Sequence, residues 1–135
     1  MSGAAKSSQW TVGSAGVVMI ITAGLHGLGY RPLAAQLAGS NMQAMWSGGI
    51  KGLWLIFSLH LVIVGGIFLL AGIRPTSVGK TILLIAVLVP VGDTIVLLIF
   101  VGVFVGTVAL GLAALLLYAG VALRPAVASD GGYGT

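Results

Sequence analysis

Between Thr81 and Leu123 the chain carries a single charge, Asp93, in an apolar run about twice as long as one helix needs to cross a bilayer core. One straight helix of that length would overshoot the hydrocarbon, so the run predicts a hairpin of two membrane helices. Two places offer a turn. Pro90-Val91-Gly92-Asp93 has turn-forming residues, but a break there leaves a first arm of about ten residues, too short to span. Gly102 to Gly106 divides the run more evenly. Helices are therefore expected at about 80–101 and 104–123, with Pro90 inside the first, where a membrane helix tolerates it as a kink.

Upstream lie two more apolar stretches, at about 10–30 and 49–73, each near the roughly 20 residues that span a hydrocarbon core. Of the 135 residues, 59% are hydrophobic and 6% charged. Soluble domains carry roughly a quarter charged residues, so this chain lacks the polar surface to stay in water. The expected fold is an all-α, integral membrane four-helix bundle, rich in glycine and with short loops. Residues 1–9 form a head, 10–124 the membrane domain and 125–135 a tail of flexible-linker composition. The first apolar run is longer than the core of a secretory signal, and no small-x-small cleavage site follows it, so it counts as a span. The loop at 32–48 contains Gln36, Asn41, Gln43 and Trp46 and is expected to lie along the membrane surface as a short amphipathic helix.

The dipeptides Arg31-Pro32, Arg74-Pro75 and Arg124-Pro125 each follow an apolar stretch. Proline ends a helix and arginine complements its C-terminal dipole, so all three read as helix stops. With four spans, Lys6, Arg74, Lys80 and Arg124 share one side, and Arg31 and Lys51 the other. Four basic residues against two favour both termini in the cytoplasm. The formal charge of +4 is spread along the chain, which does not make a nucleic-acid surface. The absence of cysteine excludes disulfides and thiolate metal sites.

Glycine numbers 22. Helices in lipid associate by close packing, and small residues four apart let backbones approach. Gly48/Gly52, Ala23/Gly27 and Gly102/Gly106 have this spacing and are expected to pack within the bundle or along a homo-oligomer seam.

Tyrosine and the span ends aside, three ionisable side chains lie within the apolar runs: His26, His60 and Asp93. Such residues cost a few kcal/mol in a membrane and usually face the protein interior, where they carry function. At 1.5 Å per residue, His60 lies roughly 15 Å, Asp93 roughly 12 Å and His26 roughly 6 Å from one and the same face. Thr22, His26 and Tyr30 recur every four residues and form a polar stripe. His60 and Asp93 are expected to communicate, with His26 and Tyr30 as a route to the surface. Ser58, two residues from His60, points elsewhere on its helix. The structural alternatives are a His60–Asp93 pair that only locks two helices together, a histidine that reaches interfacial water, and Trp10, Trp46 and Tyr30 as interface anchors.

Four functions fit these residues. A histidine and a carboxylate at one depth can couple proton movement to transport of a small solute. A small, glycine-rich membrane chain also suits an accessory or scaffold role in a larger membrane complex. The same groups could do acid–base chemistry on a lipophilic substrate, as an isomerase, cyclase or hydrolase does. Haem held by His26 and His60 requires closing a depth mismatch of roughly 9 Å, and no cofactor or metal is expected. Gly79-Lys80-Thr81 ends like a phosphate-binding loop, but Arg74 stands where its first glycine belongs. The bilayer is the partner that composition demands, with further copies of the chain or other membrane proteins beside it.

Overall fold

The computed structural model describes residues 3–124, so the expected tail lies outside it. Five helices follow in order: α1 Gly3–Leu28, α2 Tyr30–Ala38, α3 Ala44–Ile73, α4 Lys80–Phe100 and α5 Val105–Ala122. Among the described residues there is no strand. Four helical segments are long and apolar enough to cross a membrane, with α1 and α2 together forming the first. Large apolar side chains also cover the outside of the bundle, with Leu59, Ile85 and Leu115 each more than half exposed. Helices apolar on every side belong in lipid. The chain is an integral membrane protein built as an all-α bundle.

Helix α1 is the centre of the assembly. It packs against α3 on one side and α5 on the other, and α4 packs against α5, giving the spatial order α3–α1–α5–α4. Val12, Ala15, Met19 and Ala23 recur at helical spacing along α1 and are buried among Leu61 and Phe68 of α3 and Leu110, Leu117 and Val121 of α5. Although consecutive in the chain, α3 and α4 are not packed helix to helix.

Glycine explains how close α1 comes to its neighbours. A Cβ on Gly16 would meet the Leu69 amide nitrogen at 2.5 Å and the Gly65 carbonyl oxygen at 2.6 Å, and one on Gly72 would meet Gly13 Cα at 2.6 Å. On the other side of α1, a Cβ on Gly120 would strike Val12, and Ser8 Oγ, fully buried, donates to the Gly120 carbonyl at 2.6 Å. The expected small-residue pairs do not make these contacts. Gly27, Gly48 and Gly52 face open space, Gly102 lies in the α4–α5 turn at φ +90°, and Gly106 sits under the Phe104 ring. The reason lies in how α1 and α3 meet. Backbones touch only where α1's first two-thirds meets the end of α3, whereas bulky aromatic side chains occupy the space nearer α2.

Helix boundaries differ from the expected ones at three points. The helix α1 begins at Gly3, so residues 3–9 of the expected head are helical, and Ser8 among them is core. Similarly, α3 begins at Ala44 and takes up part of the expected loop. Arg31-Pro32 does not end α1. That helix stops at Leu28, and Pro32 falls in the first turn of α2, where its missing N–H would have had no helical partner anyway. The short helix expected in the loop is α2, which buries none of its residues. Arg74 does close α3, its amide bonding to the Leu70 carbonyl. Helix α4 runs unbroken through Pro90.

Candidate functional site

The first two-thirds of α3 carries Trp54, Phe57, Ser58 and His60. At 100° per residue Trp54 and Ser58 share one face, and His60 lies about 200° round from Ser58. Ser58 therefore reaches α1, while His60 turns toward α4. Across the gap between α3 and α4, His60 Nε2 lies 3.2 Å from Asp93 Oδ2. The His60 side chain is about one-third exposed (36%) and Asp93 about one-fifth (19%), so the pair is shielded without being sealed.

On the α1 side, His26 Nδ1 lies 2.8 Å from Ser58 Oγ, and Ser58 Oγ lies 3.2 Å from the Trp54 carbonyl to which it donates. The Trp54 indole stacks on the His26 ring, with centroids 4.0 Å apart and planes 17° from parallel. Its Nε1–H donates at 2.8 Å to the His26 carbonyl in the last turn of α1, which also accepts from the Gly29 amide at 3.0 Å. Gly29 makes room for this, since a Cβ there would lie 2.8 Å from the indole. Phe57 meets His26 edge-on at 5.0 Å and stacks against His60 at 6.0 Å. The rings thus form one continuous row, Trp54–His26–Phe57–His60, ending on Asp93.

The other sequence-nominated residues stand apart from this row. Thr22 is buried and its hydroxyl donates to the Val18 carbonyl of its own helix at 2.8 Å. Tyr30 opens α2 and takes part in none of these contacts. The polar stripe on α1 is therefore not a hydrogen-bonded path, and the Phe57 ring lies against both imidazoles. A single iron between His26 and His60 would have to displace it. Among the described residues, no three histidine, aspartate or glutamate side chains come together where they could hold a metal ion.

Above the row lies a cavity of about 340 Å³, lined by His26 and Trp54, by Phe57 and Leu97, and by Phe104 of the α4–α5 turn. It occupies the end of the bundle where α1 and α4 finish and α3 and α5 begin. Phe57 and Leu97 each sit one helical turn nearer that end than His60 and Asp93, so the pair lies roughly 5 Å beneath the lining. The lining is almost wholly apolar, with His26 the exception that has hydrogen-bonding capacity to spare. Trp54, Phe57 and Ser58 were not nominated from sequence. The i, i+3, i+4 spacing that puts them on one face of α3 was visible, but its meaning depends on His26 arriving from α1.

At the opposite end, Arg124 ties the α3–α4 connection to the end of α5. Its guanidinium donates to the carbonyls of Val78 at 2.7 Å, Pro75 at 2.9 Å and Ala71 at 3.3 Å, and its own carbonyl accepts from Lys80 Nζ at 3.2 Å. This arginine holds the fold together at that end. In comparisons with protein-family models, with curated proteins and with solved structures, nothing matches this chain.

Proposed function

We propose that this protein couples the movement of a small solute to protons, with His60 and Asp93 as the proton-handling pair and the cavity above them as the solute's port of entry. The observation that carries the reading is the position of the pair: it bridges the seam between α3 and α4, which do not pack on each other helix to helix. When His60 is protonated and Asp93 ionised, the two attract and are hydrogen-bonded, and the seam is held. Adding a proton to Asp93 or removing one from His60 leaves a single unmatched charge, so the attraction between opposite charges is lost and at most a hydrogen bond remains. A seam held this way opens or closes with proton number, and the cavity lies directly over it.

The ends of the bundle supply a direction. The basic residues argue for cytoplasmic termini, which places the cavity at the outer face and Arg124 at the inner one. Solute entering from outside would meet Trp54, His26 and Phe57 first, and then the pair. Arg124 holds the inner end of the seam together while the middle changes.

The test is reconstitution in liposomes that contain a pH-sensitive dye, with small lipophilic alcohols and amines added under an imposed pH gradient. Wild type is expected to give a solute-dependent change in internal pH. Asp93→Asn, which keeps the shape and a hydrogen bond but cannot ionise, is expected to abolish it without altering the size or helicity of the purified protein. Equal solute-driven proton flux in wild type and Asp93→Asn refutes the proposal.

A further inference from the structure

We infer that the cavity at the α2 end is a binding site for a compact lipophile bearing a single hydroxyl group, an alcohol or phenol, whose O–H is accepted by His26 Nε2. This names the solute class for the function proposed above and rests on that reading, although binding can be measured without any transport.

The chemistry follows from counting hydrogen-bonding atoms. Of the polar side chains at the cavity, Thr22 donates to Val18 and Trp54 Nε1 donates to the His26 carbonyl, so both donors are committed. His26 has two ring nitrogens. One, Nδ1, is engaged by Ser58 Oγ, and Nε2 has no partner among the described residues. Ser58 has one proton and two short contacts, to the Trp54 carbonyl and to His26 Nδ1. Both are hydrogen bonds only if Ser58 donates to the carbonyl and Nδ1–H donates to Ser58. That arrangement places the proton of a neutral His26 on Nδ1 and leaves Nε2 as an acceptor.

The ring is also held in place. Trp54 stacks on it, Phe57 closes one edge and Ser58 fixes one nitrogen, so the acceptor is oriented before anything binds. The other side chains of the lining are apolar or have their donors committed, and a ligand with several polar groups would leave some of them without side-chain partners. The volume, about 340 Å³, falls at the small end of ligand cavities, which run from roughly 300 to 1,000 Å³. A long acyl chain needs no acceptor and does not fit that size. A compact molecule with one donor suits both.

Trp54 supplies the readout, because a bound bromine atom quenches a neighbouring indole. With Trp10→Phe and Trp46→Phe as background, Trp54 is the only tryptophan left. Both replaced side chains are exposed. Quenching by 4-bromophenol and by 4-bromoanisole is titrated in lipid nanodiscs; the two share the ring and the halogen, but the anisole has no donor. The phenol is expected to saturate and to bind about tenfold more tightly than the anisole, the ratio one hydrogen bond gives. His26→Phe, which keeps a ring against Trp54, is expected to abolish that ratio, and Ala109→Phe, which fills the cavity, to abolish saturation. Saturable binding is expected to survive Asp93→Asn, so a failed flux experiment leaves the site standing and a failed binding experiment does not bear on the pair. Linear quenching of equal strength by both compounds, unaffected by Ala109→Phe, would show simple partition into lipid and overturn the inference.

Discussion

Replacing Gly16 by alanine places a methyl carbon 2.5 Å from the Leu69 amide nitrogen and 2.6 Å from the Gly65 carbonyl oxygen, roughly 1 Å inside ordinary van der Waals contact. Both obstacles are backbone of α3, so no rotamer change relieves the collision, and α1 and α3 must separate. A gap of 0.5–1 Å forfeits about a quarter to a half of the dispersion energy of every contact it opens, and overpacking of this kind costs about 1–3 kcal/mol. Against this stands the gain of alanine over glycine in a helix, about 1 kcal/mol. Gly24 lies on the same helix with nothing within 4 Å of the added carbon, so Gly24→Ala takes the gain without the collision. The difference between the two variants cancels helix propensity and isolates packing. Gly16→Ala is expected to be less stable than Gly24→Ala by about 1–3 kcal/mol in reversible unfolding from mixed micelles. If Gly16→Ala proves as stable as Gly24→Ala, α1 and α3 do not meet where described, and the placement of every residue of the ring row on α3 falls with it.

Further outcomes are expected at the pair and at Arg124. In a double-mutant cycle, His60→Ala and Asp93→Ala should show a coupling of about 0.6–1.7 kcal/mol, from the average to the maximum found for polar contacts between membrane helices; zero coupling would mean that the pair does not hold the seam. Arg124→Ala is expected to cost about 1–3 kcal/mol, and Arg124→Lys to recover less than half of it, since an ammonium cannot reach three carbonyls as a planar fork does. Burial lowers the Arg124 pKa from its ordinary, strongly alkaline value. A base whose folded pKa is depressed is disfavoured by folding only while it is charged, and that term fades as pH rises through the folded and then the unfolded value. The window is strongly alkaline, so the Arg124→Ala deficit should stay constant in unfolding measurements between about pH 5 and 9; a deficit that varies across that range refutes the description of the clamp.

What could be read from sequence follows from which signals are local. The long apolar run from Thr81 to Leu123, with Asp93 its single charge, demanded a hairpin, and the turn sits at Gly102, whose φ of +90° favours the residue without a side chain. Arg-Pro was ambiguous for an equally local reason. Proline is accepted both just past a helix end and inside a first turn, so Arg74-Pro75 closes α3 whereas Arg31-Pro32 opens α2. Neighbour order was not legible, because α1 lies between α3 and α5 on the strength of glycines that a four-residue spacing does not pick out. Gly65 and Gly72 are two turns apart, and their partners Gly16 and Gly13 belong to another helix. His60, Asp93 and His26 stand out in an apolar chain because a titratable group there is rare. Trp54, Phe57 and Ser58 do not, since an aromatic residue or a serine in a membrane helix is ordinary until an imidazole is seen against it.

The spatial order α3–α1–α5–α4 sets a timetable for biogenesis. Synthesis delivers α1 and then α3, which can dock on each other as soon as both are in the lipid. The next helix to leave the translocation machinery, α4, finds no surface waiting, because its packing partner is the segment still inside the ribosome. Until α5 arrives, Asp93 has only His60 to shield it, and the second face of α1 stays open to lipid. Completion of α5 therefore closes two interfaces at once, and Arg124, which ties together the end of the bundle opposite the cavity, is synthesised only after α5 is complete. A chain halted before that point leaves α4, and the carboxylate it carries, without the helix it packs on.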